Sequence, residues 1–153
     1  MRIETARLTP AGSLFKGEHP ASVLELEHEA LLHAEEPVVY ELTVRLVSHE
    51  VLVQGRISTK MEVQCSRCGE FFSTLVEDSS FLCTYEIEPG QDSLDITEDI
   101  REAILLLIPA FPVCREDCRG VCMQCGRNLN EGPCSCKKKV LNDPWEKLNR
   151  LDL

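Results

Sequence analysis

The sequence predicts an α+β fold in which an antiparallel β-sheet meander is packed by one main helix and followed by a cysteine-rich C-terminal segment. Three observations carry this expectation. Apolar residues alternate with polar ones through most of residues 40–87, with short connections and no βαβ alternation, a pattern that favours antiparallel neighbours. Residues 95–108 instead repeat their isoleucines at helical spacing. Eight of the nine cysteines are clustered, two in Cys65-Ser-Arg-Cys68 and six within residues 114–136. On this reading residues 1–113 form the sheet and helix. Residues 114–153 form the cysteine-rich segment and a C-terminal helix, packed as one domain with the Cys65/Cys68 hairpin.

Residues 1–22 hold Pro10, Gly12, Gly17 and Pro20 with no sustained period, and read as loop with room for one short element. In residues 23–32, Leu24, Leu26, His28, Ala30 and Leu32 alternate with Glu25, Glu27 and Glu29. That suits a half-buried strand, with a helical reading also open. Tyr40, Leu42, Val44 and Leu46 alternate with Glu41, Thr43 and Arg45. Val51, Val53, Ile57, Met61 and Val63 then form a long apolar face, with Gly55 marking a bulge. Two further strands are expected at residues 71–76 and 81–87. In the second, Phe81, Cys83, Tyr85 and Ile87 share a face, so Cys83 reads as a buried small hydrophobe.

After the turn signal Pro89-Gly90, Asp95 can cap a helix, Glu98 completes a capping box, and Asp99 adds a carboxylate where the helix dipole favours it. Ile96, Ile100, Ile104 and Leu107 make its apolar stripe and Pro109 ends it. A second helix is expected from Asp143-Pro144-Trp145 to the C-terminus, with Pro144 in its first position.

Composition narrows the function. A chain of 153 residues corresponds to one domain and buries roughly 70% of its unfolded surface, too large for a disulfide-stapled miniprotein. Its longest apolar stretch, residues 103–114, contains two prolines and falls short of the ~18 residues of a membrane span. The polar start Met1-Arg2-Ile3-Glu4-Thr5 does not read as a secretory leader, so a soluble, cytoplasmic protein without membrane contact is expected. The net charge of −10 is uneven: residues 1–113 carry −12 and residues 114–153 carry +2. Nucleic-acid contact, if any, is therefore expected at the cysteine-rich end.

In a reducing cytosol, clustered thiols point to metal rather than disulfides. Cys65-Ser-Arg-Cys68-Gly69 and Cys122-Met-Gln-Cys125-Gly126 share one form: the two-residue gap turns both sulfurs onto one ion, and the glycine tolerates a left-handed backbone. With Cys114, Cys118, Cys134 and Cys136 they supply eight thiols, enough for two structural Zn²⁺ sites of four cysteines each. Spacing leaves two groupings open. In one, Cys122, Cys125, Cys134 and Cys136 form a local site across the short loop 127–133, and Cys65, Cys68, Cys114 and Cys118 form the other. In the alternative, the two glycine-following pairs make a ribbon and Cys114, Cys118, Cys134 and Cys136 group together.

Either way the sites are closed, with no position for an activated water, so no catalytic residue and no small-molecule substrate is expected. His33 and Glu35 ahead of Cys65 and Cys68 match the zinc deaminase pattern only superficially. Gln64 stands where that pattern has proline, and the flanking residues alternate as strands.

These blocks resemble the YceD family of bacteria and chloroplasts over most of the chain after about residue 35. The carriers are the Gly55 segment leading to Val63-Gln-Cys65-Ser-Arg-Cys68, the helix ending in Leu107-Ile-Pro109, and Phe111-Pro-Val-Cys114-Arg-Glu-Asp-Cys118-Arg-Gly-Val-Cys122-Met-Gln-Cys125-Gly126-Arg-Asn-Leu-Asn130. The resemblance implies a role in accumulation of 23S ribosomal RNA through its synthesis, processing or stability, with large-subunit ribosomal RNA, a ribosomal protein or an assembly intermediate as partner. Some family members lack the second cysteine cluster, which implies the grouping of Cys65 and Cys68 with Cys114 and Cys118 and makes the second site accessory. Candidate RNA contacts are Arg67, Arg115, Arg119, Arg127, Lys137, Lys138 and Lys139; solvation of an otherwise acidic chain accounts for them equally well. The runner-up is a zinc-stabilised adaptor or thiol-based regulator acting on a basic partner protein.

Overall fold

Alternation is realised most fully in the long central strands. The computed structural model describes residues 1–5, 8–34, 36–88 and 90–136. Glu35, Pro89, Lys137, Lys138, Lys139 and the helix expected from Asp143 lie outside the described residues. Strands β1 (Arg2–Glu4), β2 (Ser13–His19), β3 (Leu32–His33), β4 (Val38–Val47), β5 (Glu50–Gln64), β6 (Phe71–Glu86) and β7 (Ser93–Asp95) precede one helix, α1 (Thr97–Leu106).

Strands β4, β5 and β6 form the expected antiparallel meander. β2 lies beside β4, and β3 pairs with the end of β5. On β5, Val51, Val53, Ile57, Met61 and Val63 are all buried, as their spacing predicts. Thr59 shares their face and satisfies its hydroxyl by donating to the Glu36 carbonyl at 3.1 Å. At Gly55 the backbone has φ 156°, and a Cβ there would collide with the Glu41 carbonyl oxygen.

Three expectations are corrected. Residues 1–22 are not mainly loop: β2 fills the edge beside β4 over its full length, and β1 pairs with β7 in a small second sheet. With that edge occupied, residues 23–32 do not form the expected strand. Ala21–Leu24 is instead a 3-10 turn ending at Glu25 in a left-handed conformation (φ 52°), which sends Leu24 into the core. Residues 71–87 are not two strands but one, bulged where Arg56 faces both Ser79 and Ser80. The extra residue lets Val76 and Phe81, five apart, both point inward. Asp78 stabilises the bulge by accepting the Ser80 N–H at 2.8 Å.

Helix α1 starts one turn position later than expected. Ile96 occupies the N-cap and no side chain caps it directly, although Asp95 accepts the Thr97 N–H at 3.0 Å. Glu98 does not close a capping box; it lies 3.5 Å from Arg101, which also pairs with Glu25. Ile96, Ile100 and Ile104 are buried against β5 and β6, but Leu107 is 43% exposed because the helix ends at Leu106. Cys83 packs half-buried against this core, and burial raises its thiol pKa. The chain leaving α1 then runs back to the turn joining β5 to β6.

Candidate metal centres

The turn between β5 and β6 and the turn at residues 122–127 have the same backbone. The Cys65 N–H donates to the Glu70 carbonyl at 2.8 Å and the Gly69 N–H to the Cys65 carbonyl at 2.9 Å. In the second turn, Cys122 donates to Arg127 at 2.9 Å and Gly126 to Cys122 at 2.8 Å. Gly69 and Gly126 take φ values of 76° and 72°, the left-handed conformation that glycine adopts without a Cβ penalty.

Tertiary structure groups the sulfurs as Cys65, Cys68, Cys114 and Cys118, and separately as Cys122, Cys125, Cys134 and Cys136, with the four sulfurs of each set within 4.8 Å of one another. This is the first of the two groupings that spacing left open. Sulfurs of Cys65 and Cys118 are 3.9 Å apart and those of Cys68 and Cys114 are 3.8 Å apart. Zn–S bonds of about 2.3 Å place tetrahedral sulfurs about 3.8 Å apart, so this donor set fits a zinc-sized ion. All nine cysteines are free thiols.

The first centre is assembled from distant segments. Pro112 accepts the Ser66 N–H at 2.8 Å, and Arg67 accepts the Val121 N–H at 3.0 Å, so residues 112–121 wrap the turn from both sides. Arg67 extends this clasp by donating from Nη1 to the carbonyls of Glu116 at 2.9 Å and Cys118 at 3.2 Å. Gly120 (φ 70°) crosses so close that a Cβ would sit 2.8 Å from the Arg67 carbonyl oxygen. Cys65, Cys68 and Cys118 are buried, with Phe72 packed against them. The second centre is shallower: Cys122, Cys134 and Cys136 are half-buried and Cys125 is exposed.

Local dipoles favour thiolate in both sets. Burial opposes charge on Cys65, but N–H donors of Cys114, Cys68 and Arg67 lower its pKa to about 6. The Asn130 carboxamide is the main cause lowering Cys118. In the second set, the N–H groups of Gln124 and Cys125 lower Cys122 to about 6. Burial and then the neighbouring sulfurs push Cys114 up to about 12, and the Cys125 sulfur leads the causes that push Cys136 up to about 12. In each set, backbone N–H donors thus favour the thiolate form of one cysteine, the form a metal ion binds.

The candidate cations are placed unequally. Arg67 spends donors on the clasp, Arg115 lies 3.3 Å from Asp117, and Arg119 and Arg127 are exposed. His33 lies outside both sulfur sets, its ring stacked on Phe71 at 5.3 Å. Two roles were not anticipated: the Arg67 clasp, and Asn130, whose Nδ2 donates to the Cys118 sulfur at 3.3 Å. Asn128-x-Asn130 signals a side-chain-supported turn, but no local pattern announces a bond to a cysteine twelve residues away.

A profile of the family described as "Large ribosomal RNA subunit accumulation protein YceD" matches residues 83–152, from within β6 through the second sulfur set. A chloroplast protein of Arabidopsis thaliana named "Large ribosomal RNA subunit accumulation protein YCED homolog 1" is 24% identical, the match covering 75% of this chain and 48% of that protein. Over residues 83–152 the chain is similar to the YceD family. Among other relatives, an uncharacterized protein of Mycobacterium tuberculosis is 32% identical over 71% of this chain and 58% of its own length. One of Mycobacterium leprae is 29% identical over 71% and 56%. The chain therefore spans about half the length of the curated relatives it matches. No solved structure matches it significantly. Among the described residues, no helix is long and apolar enough to cross a membrane.

Proposed function

We propose that this chain is a non-enzymatic, zinc-binding factor that acts in the cytoplasm on accumulation of 23S ribosomal RNA during large-subunit assembly. The family match carries this reading, since the named chloroplast relative is described as an accumulation protein. Cys65, Cys68, Cys114 and Cys118 would hold one Zn²⁺ and Cys122, Cys125, Cys134 and Cys136 the other. With four thiolates on each ion the zinc cross-links chain segments and leaves no position for water, so its contribution is structural.

The partner in this reading is large-subunit ribosomal RNA or a protein bound to it. Arg115, Arg119 and Arg127, with Lys137, Lys138 and Lys139, are the candidates for RNA contact; Arg67 contributes less because its guanidinium already serves the clasp. Depletion of the protein should lower 23S relative to 16S RNA. Gel shifts with 23S fragments at two salt concentrations should weaken when these cations are neutralised.

One observation favours a protein partner. Between α1 and β6 a groove of about 290 Å³ is lined by Asp78, Asp99 and Glu102 with Leu82, Ala103 and Leu106, a surface suited to a basic segment with an apolar anchor. Purification of the tagged protein with and without nuclease separates the readings. Ribosomal proteins that survive nuclease favour direct protein contact, and loss of all partners favours RNA.

A further inference from the structure

Between the two sulfur sets lies a contact that neither needs for its own ligands. Asn130 sits in the loop of the second set, between Cys125 and Cys134. Its side chain turns the other way: Nδ2 donates to the Cys118 sulfur at 3.3 Å and Oδ1 accepts the Arg119 N–H at 2.9 Å. Its own N–H is fixed by the Asn128 side chain at 3.0 Å, and the Leu129 N–H donates to the Gly120 carbonyl at 2.8 Å. Val121 and Asn128 form a short antiparallel bridge across the same strip. The loop closed by the second set is thus hydrogen-bonded along the segment that supplies Cys118 to the first.

We propose that Asn130 couples the two metal centres, so that an ion in the second set strengthens retention of the ion in the first. This rests on the reading that both sets bind zinc. The physical reason is pre-organisation. An ion held by Cys122, Cys125, Cys134 and Cys136 closes the loop 126–133 and fixes Asn130 where its N–H meets the sulfur. That donor holds the Cys118 side chain in the ligating position, as second-layer hydrogen bonds do at other metal sites. Without the second ion the loop is free to leave, and Cys118 loses a partner that water replaces poorly at a buried sulfur. Asn130 is a positioning residue in this scheme, since it touches a ligand and not the ion.

The test is a double-mutant cycle on the full chain, reading zinc release to a colorimetric chelator. The unmodified protein should carry two zinc ions that leave in two phases, the slower from the first centre. Asn130→Asp keeps the acceptor for Arg119 and removes the donor to Cys118. It should retain two ions by metal analysis while the slow phase quickens roughly tenfold, within the range for second-layer changes. Cys125→Ser should leave one ion, released with a similarly quickened rate, and adding Asn130→Asp should change that rate little further. Charge-transfer bands of the protein loaded with Co²⁺ give an independent readout: Asn130→Asp should shift the bands assigned to the first centre, identified in Cys125→Ser. Should Asn130→Asp misfold by circular dichroism, Asn130→Ser and Asn128→Ala, which loosen the same contact, take its place.

Unchanged slow release in these variants, or rate effects that multiply in the double variant, overturns the coupling. Fewer than two bound ions in the unmodified protein, with no further uptake of added zinc, overturns the underlying metal reading instead.

Discussion

The sheet-and-helix part of the molecule and residues 107–136 are held by different means. In the first, Leu24, Leu42, Val53, Ile57, Ile100 and Ile104 are buried in one apolar cluster. In the second, the buried side chain is itself a sulfur: Cys118 joins Cys65 and Cys68 in a separate cluster, while Leu107, Phe111 and Met123 are 43%, 81% and 95% exposed. Apolar burial contributes about 25 cal/mol per Å², and this segment buries little apolar surface. It is held by backbone hydrogen bonds, the Arg67 clasp and the convergence of the two sulfur sets. Hydrophobic transfer can stabilise an extended sheet face, whereas a segment of some thirty residues without a regular element would gain most from a point cross-link such as a metal ion.

The largest effect expected from this contrast follows removal of a first-centre ligand. Cys68→Ser should cost on the order of 4 kcal/mol or more, released mainly as local unfolding of residues 107–136. Hydrogen exchange with metal analysis checks it: fast exchange there, with β4 and β5 still protected, sustains the contrast. Equal exchange through both regions breaks it.

A core truncation sharpens the same contrast from the other side. Ile104 is fully buried, and Ile104→Ala should lose about 2–5 kcal/mol in urea unfolding while zinc content stays unchanged. If zinc is lost in parallel, the two regions are not separable.

Gly120→Ala probes the clasp. The added Cβ meets the Arg67 carbonyl oxygen at a positive φ, so a loss of about 1–3 kcal/mol is expected, with faster zinc release from the first centre. Release rates equal to those of the unmodified protein would remove the clasp from the account.

The smallest effect belongs to the sheet region. His19 stacks on Tyr40 at 5.6 Å, and its buried Nε2 has no hydrogen-bond partner among the described residues. Burial is the main cause lowering its pKa below 6.5. The folded state therefore binds this proton less readily than the unfolded state. The contribution is full above the unfolded value of about 6.5 and is lost as pH falls towards the folded value. His19→Phe keeps a ring there and should reduce the drop in urea midpoint between pH 7.5 and 5.5. An identical drop in the variant would exclude His19 as its source.

Much of the sheet was legible because alternation is a local consequence of strand geometry. Val51 through Val63 declare one buried face, and Ile96, Ile100 and Ile104 declare a helix, whatever lies opposite. Residues 24–32 alternate as well and still do not form that strand, because β2 takes the edge beside β4, and strand pairing is a competition between segments that no single window contains. The split expected between residues 76 and 81 failed for a related reason: a bulge changes the phase of a strand without ending it.

At the cysteines, sequence alone determined the donor type, the two glycine turns and the number of thiols, since a two-residue gap with a left-handed glycine is decided within five residues. Tertiary structure alone decided which sulfurs meet, that Arg67 braces the chain carrying Cys118, and that Asn130 reaches from one set to the other. Those contacts join segments up to fifty-three residues apart, as between Cys65 and Cys118. They exist only once β5 and β6 have set the position of their turn and α1 has directed residues 107–121 back onto it, because a hydrogen bond or a ligand set acts over a few ångströms and is specified by where the folded chain places its ends.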